Sequence, residues 1–125
     1  MLVGTGIDAV EIERVAHSIA RYGDRFLNKV FTAEEISYCQ QKKNAAESFA
    51  ARFAAKEAGA KALGTGIQHG VSWKELEVRR PAGQRPVLHF SGRALEFAER
   101  LGVRNVALSL THTGVIAMAL VVLEG

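Results

Sequence analysis

Apolar positions along this chain change period near residue 64, helical spacing before it giving way largely to alternation after it. Residues 2–7 read as a first strand. Asp8-Ala9-Val10-Glu11 then has the form of a capping box, with Asp8 as N-cap and Glu11 three residues on. A helix is predicted over about 10–22, with Ile12, Val15 and Ile19 inward and Gly23-Asp24 ending it. Thr32-Ala33-Glu34-Glu35 is a second capping-box signal and opens a short helix through Tyr38 and Cys39. After a polar loop over 40–44, a long helix begins near Ala46 and stops at Gly64, where a left-handed residue is expected. Residues 76–80 alternate like a strand, 81–86 read as a turn and 87–90 as another strand. A helix over 94–101, ended by Gly102, precedes two strands over 105–111 and 115–123. The order β-α-α-α-β-β-α-β-β predicts an α+β fold, a mostly antiparallel sheet packed against a long central helix.

The long helix is the most informative segment. Ala50, Ala51, Ala54, Ala55, Ala58 and Ala62 make a broad small-residue face, and Phe49, Phe53 and Ala60 a second apolar one. Two narrow charged strips lie between them, Arg52 with Lys56 and Glu57 with Lys61. A helix apolar on two sides belongs at the centre of a molecule, with its charges in a partly buried groove. Glu57 and Lys61 are also placed for an ordinary intrahelical ion pair, worth about 0.2–0.5 kcal/mol.

Composition narrows the class. The chain's 48% hydrophobic and 23% charged residues suit a single globular domain over 1–125. No apolar run is long enough for a bilayer, no basic leader precedes a cleavage site, and the lone Cys39 excludes an internal disulfide framework. A cytoplasmic protein is expected. Sixteen Lys and Arg against 13 acids is a mild excess, suited to a nucleic acid, an acidic protein or a phosphorylated small molecule.

Candidate chemistry gathers at few places. Asp8 stands where a strand becomes a helix, as an N-cap or as a ligand; Glu57 offers a second carboxylate. Two carboxylates, completed by phosphate oxygens and water, are what a magnesium site needs. Lys61 lies one turn beyond Glu57, as a cation for a phosphate would, and Arg52 and Lys56 extend a positive surface. His112 sits between two threonines at a strand-to-strand turn. Arg14, His17 and Arg21, with Arg25 beyond, share one side of the first helix, a solvated face or a dock for an acidic helix. No Walker loop is present.

These residues resemble a family. GIDAVEIER (6–14) is similar to the first signature of bacterial holo-acyl-carrier-protein synthases, small 4′-phosphopantetheinyl transferases. FAAKEAGAKALGTG (53–66) is similar to their second and more specific one. FTAEE (31–35), WKELEV (73–78) and SLTH (109–112) follow in order, so the resemblance runs end to end. It implies a phosphopantetheinyl transferase-like fold and an enzyme of lipid metabolism. Such an enzyme moves 4′-phosphopantetheine from coenzyme A to a serine of apo-acyl carrier protein and leaves adenosine 3′,5′-bisphosphate.

The resemblance implies roles residue by residue. Asp8 and Glu57 would hold Mg2+ with the coenzyme A pyrophosphate, Lys61 would neutralise phosphate charge, and Glu57 would steer the serine proton. Arg52, Gly64, Thr111 and His112 would hold coenzyme A, with Arg85 and Pro86 against the adenine. Arg14, Arg21 and Arg25 would grip the acidic carrier protein. A homotrimer with active sites between subunits is implied, with neither nucleic acid nor membrane as partner. Three positions depart from the family pattern: Gln84 stands where a glycine is usual, Thr111 where a serine is, and Gly114-Val115-Ile116 lack a common aromatic. A non-catalytic module on the same scaffold would dispense with Asp8, Glu57 or Lys61, and all three are present. A small basic RNA binder would need no coenzyme A.

Overall fold

The computed structural model describes residues 1–125. Helix α4 (Ala45–Ala62) is its axis, buried on almost every side from Phe49 to Ala62. Small side chains let neighbours approach from two flanks. On one lies a three-stranded sheet in the order β1-β5-β4, built from β1 (Leu2–Glu11), β5 (Ile116–Glu124) and β4 (Asn105–His112). Both pairings are antiparallel, with Gly6 and Leu108 each opposite Val121. A methyl group at Gly4 or Gly6 would run into the Ala62 or Ala58 carbonyl of α4, so glycine is what allows strand and helix to touch backbone to backbone.

On the other flank β2 (Leu76–Arg79) and β3 (Val87–Phe90) form an antiparallel hairpin, Val78 opposite Leu88. Its Leu76 and Leu88 side chains fill the space over Gly59 of α4. Helix α5 (Gly92–Leu101) follows and buries Ala94 and Ala98. A second core surrounds the first half of α4, formed by α1 (Ile12–Tyr22), α2 (Asp24–Val30) and α3 (Ala33–Gln40). Phe31 and Phe49 meet there with ring centroids 4.9 Å apart, and Cys39 is fully enclosed. Burying each such large apolar side chain contributes about 1.5–3 kcal/mol.

The α+β class, the antiparallel pairing and the central helix are as the sequence predicts, and Gly64 adopts φ +83 just past the helix end. Thr32 and Glu35 form the expected capping box. Two expectations fail. The first strand does not stop at residue 7: β5 is long enough to pair with it through Glu11, opposite Ile116, and the Ile12 N–H donates to Val115 O. Asp8 is therefore mid-strand, opposite Ala119, and no capping box forms at Asp8-Glu11; Glu11 is the N-cap and makes no side-chain bond. Secondly, four α-helices and not three precede the hairpin: Gly23 ends α1 at φ +54 as expected, but α2 starts at once and buries Leu27 and Val30.

Candidate active site

Strand alternation is what aims Asp8. It shares a face of β1 with buried Gly6 and with Val10, the face laid on α4, and its side chain reaches Lys61 (Oδ1–Nζ 3.0 Å). Lys61 Nζ also donates to Ile7 O at 3.2 Å, so the ammonium is held over the middle of β1 beside Asp8. Glu57 stands one helical turn before Lys61. Burial pushes its carboxyl pKa above the ordinary range first, the Asp8 carboxylate raises it further, and Lys61 pulls it back in part. Three ionisable groups from two elements thus meet at one point. The intrahelical pairing of Glu57 with Lys61 is not formed; the lysine bridges to the strand instead.

A cleft of about 260 Å³ opens from this point, lined by Asp8 and Glu57 at one end and by Arg14, Ser18, Phe26 and Phe53 along its walls. Arg14 therefore joins the acidic pair to the basic side of α1. Arg14, Arg21 and Arg25 are all exposed, and Arg25 also lines an adjoining hollow with Tyr22, Phe26 and Lys29. Two converging carboxylates with open space beside them suit a hard cation that takes its remaining ligands from phosphate and water. No third acid, histidine or cysteine joins them, so the chain offers no closed metal cage.

The other expected residues fall elsewhere. Lys56 is not part of a positive surface. It is fully buried and paired with Glu35 (2.7 Å), because the hairpin closes over its side of α4. Arg52 is 5% exposed, with its guanidinium over the Tyr38 ring at 4.1 Å, and its Nε has no hydrogen-bond partner. It lines a second, larger cleft of about 570 Å³ together with Tyr38, Arg79, Arg80 and Pro81. Lys42 also lies over Tyr38, and the two cations help hold that phenol below its usual range against the effect of burial. The Arg52 Nε is the one buried side-chain polar atom left without a hydrogen bond, and the same cleft also carries the carboxylates of Glu34, Glu35 and Glu77.

Arg85 lies exposed and Pro86 half-buried in the β2–β3 turn, and Gly64 is exposed near Lys61. His112 meets Glu47 (Nε2–Oε1 3.3 Å) at the start of α4. That is ten residues from Glu57 along the helix, about 15 Å at its rise per residue. Thr111 is opposite Met118, on the sheet face turned away from α4, so neighbours in sequence point to opposite sides. Sequence reasoning missed Tyr38, Glu47, Ser18, Phe26 and the buried pairing of Glu35 with Lys56. Only Glu47 carried a signal, the Asn44-to-Glu47 spacing of a helix start, where the Asn44 side chain accepts from the Glu47 N–H.

Comparison with known proteins supplies the frame for this geometry. A holo-acyl-carrier-protein synthase of Koribacter versatilis is 55% identical over 124 residues, 99% of each chain. The crystal structure of the Neisseria meningitidis holo-acyl-carrier-protein synthase superposes with a TM-score of 0.89 at 34% identity, over 100% of both chains. That of a Bacillus anthracis holo-acyl-carrier-protein synthase in complex with CoA (3′,5′-ADP) gives 0.81 at 36%, over 99% of this chain and 97% of the other. With a family model matching residues 4–118 as well, this chain belongs to the 4′-phosphopantetheinyl transferase superfamily.

Proposed function

We propose that this protein transfers 4′-phosphopantetheine from coenzyme A to a serine of apo-acyl carrier protein, as a holo-acyl-carrier-protein synthase, with Mg2+ held between Asp8 and Glu57. The observation that carries the site is the convergence of Asp8, Glu57 and Lys61 at the head of a cleft walled by Arg14. The serine oxygen bonds to the β-phosphorus, the bond from that phosphorus to the bridging oxygen breaks, and adenosine 3′,5′-bisphosphate leaves. When bound, the ion supplies positive charge to the pyrophosphate and polarises it. Lys61 moves from Asp8 onto the phosphates and neutralises charge that builds on the leaving side. Glu57, at the head of the cleft beside the incoming hydroxyl, takes the serine proton.

Arg52, with its unpartnered Nε, and Gly64, Arg85, Pro86, Thr111 and His112 hold coenzyme A. Arg14, Arg21 and Arg25 receive the acidic carrier protein. One chain leaves His112 far from Glu57, and Ile7, Met118 and Leu120 are 59%, 38% and 41% exposed on the outer sheet face. Both features support a homotrimer in which one subunit brings His112 to its neighbour's Glu57. No helix is long and apolar enough to cross a membrane, and we place the reaction, a step of lipid biosynthesis, in the cytoplasm.

Mass spectrometry of apo-acyl carrier protein incubated with the enzyme, coenzyme A and Mg2+ tests this. One added phosphopantetheine, lost with chelator and with Asp8→Ala, is expected. No addition to several folded carriers would leave a binding module instead. Normal turnover of Glu57→Gln at saturating Mg2+ would remove the proton-acceptor role alone.

A further inference from the structure

The β2–β3 hairpin is a two-stranded sheet, so the edge of β2 that faces away from β3 has no strand to pair with. That edge is nevertheless satisfied. Val78 N–H donates to Glu35 Oε2 at 2.8 Å, and Leu76 O accepts from Lys56 Nζ at 2.7 Å. Alternate residues of a strand address the same edge, and here a carboxylate and an ammonium stand in for the missing strand's carbonyl and amide. The pair is closed on itself by a 2.7 Å bridge. Glu35 also accepts from the Thr32 N–H, while Lys56 uses its third proton on Trp73 O. Both side chains are fully buried. A second tie runs alongside: Thr32 Oγ1 donates to Glu77 Oε2 at 2.6 Å, and Glu77 in turn accepts from Arg79 Nε.

The position of this ion pair gives it a purpose beyond packing. Glu35 lines the 570 Å³ cleft, with Arg52 of α4 and Tyr38 of α3 on one side and Arg79 and Arg80 at the end of β2 on the other. Lys56 is next to Glu57 in the chain and one turn after Arg52. The pair therefore sets the distance between the hairpin, with its Arg85-Pro86 turn, and the helix that carries Arg52 and Glu57. We propose that Glu35 and Lys56 are positioning residues that fix the hairpin against α4 so that both sides of this cleft can close on the nucleotide end of coenzyme A. The inference rests on the coenzyme A reading above and adds that nucleotide affinity depends on how a fully buried ion pair holds the two walls of the cleft.

Affinity for adenosine 3′,5′-bisphosphate, measured by calorimetry, separates these claims from one another. Removing only one partner would strand a buried charge, so the chosen variant is the double Glu35→Leu/Lys56→Met, checked for folding by circular dichroism. Its nucleotide dissociation constant should rise about tenfold or more, as displaced binding groups do, while the KM for acyl carrier protein stays near the wild-type value. Thr32→Val removes the outer tie to Glu77 without changing the charge of the cleft wall and should shift nucleotide affinity in the same direction by less, which keeps the test usable if the double variant does not fold. Unchanged nucleotide affinity in the folded variants overturns the positioning role, as does a parallel rise in carrier KM, the mark of general loosening. Wild-type protein that fails to bind the nucleotide overturns the coenzyme A reading, and this inference with it.

Discussion

Burial and the Asp8 carboxylate both push Glu57 above its ordinary range, and Lys61 opposes them only in part. In metal-free protein a carboxyl so raised keeps its proton to higher pH in the folded state than in the unfolded chain. As pH climbs from the ordinary value of 4.5, the unfolded state ionises first, so folding stability falls until the folded value is passed. Denaturant titrations in chelator, run from that pH to neutrality, should show this decline, and Glu57→Gln should flatten it. On the proposed metal site, added Mg2+ should restore more stability at the upper end of the window than at the lower, because an ion held by Asp8 and Glu57 would need them ionised. A variant with an undiminished slope would assign the decline to other groups. The Asp8–Lys61 bridge itself adds little, about 0–1 kcal/mol, since the lysine side chain is half exposed.

The contact between β1 and α4 is where sequence becomes geometry. Gly6 has no room for a methyl group because the Ala58 carbonyl already occupies that space. Gly6→Ala should destabilise by about 1–3 kcal/mol or more, as overpacking does, and should separate Asp8 from Glu57 and so depress activity. Gly114→Ala, which meets nothing within 4 Å, is the matched control and should stay within about 0.5 kcal/mol of wild type. Thermal melts compared at one pH would decide it. The central helix was legible because its alanine and phenylalanine faces repeat at helical spacing. Asp8 and Glu57 were legible as identities, and the aim of Asp8 was not. Whether a strand ends at residue 7 or 11 depends on how far a partner more than a hundred residues away continues to pair. Lys56 misled for a similar reason: its partner Glu35 lies on α3, and both helices are covered by a hairpin from later in the chain.

At the scale of the whole molecule, the sheet has one face on α4 and one uncovered. Ile7 lies directly opposite Leu120, and Ile116 and Met118 continue the same surface. Leu120→Asp, on the cross-subunit reading, should convert the assembly to monomers in analytical ultracentrifugation and lower activity in step, while leaving the circular dichroism spectrum intact. A monomer with full turnover would place His112 outside the reaction. The clustered apolar exposure follows from strand alternation and could be read along residues 116–120. The separation of His112 from Glu57 could not, because it required the length of α4 and the register of β4 together.

Cys39 brings these scales together in another way. It is the chain's one cysteine, it is wholly enclosed by the second core, and burial pushes its thiol up to about 11. Thiolate, the form that attacks disulfides, is thus almost absent at neutral pH. A catalyst whose donor ends in a free sulfhydryl works beside a reagent able to form mixed disulfides with any accessible cysteine. Here oxidised coenzyme A finds nothing on the folded surface to exchange with, and a thiol-reactive dye added to the working mixture would report on the donor and its product, leaving the protein unmarked.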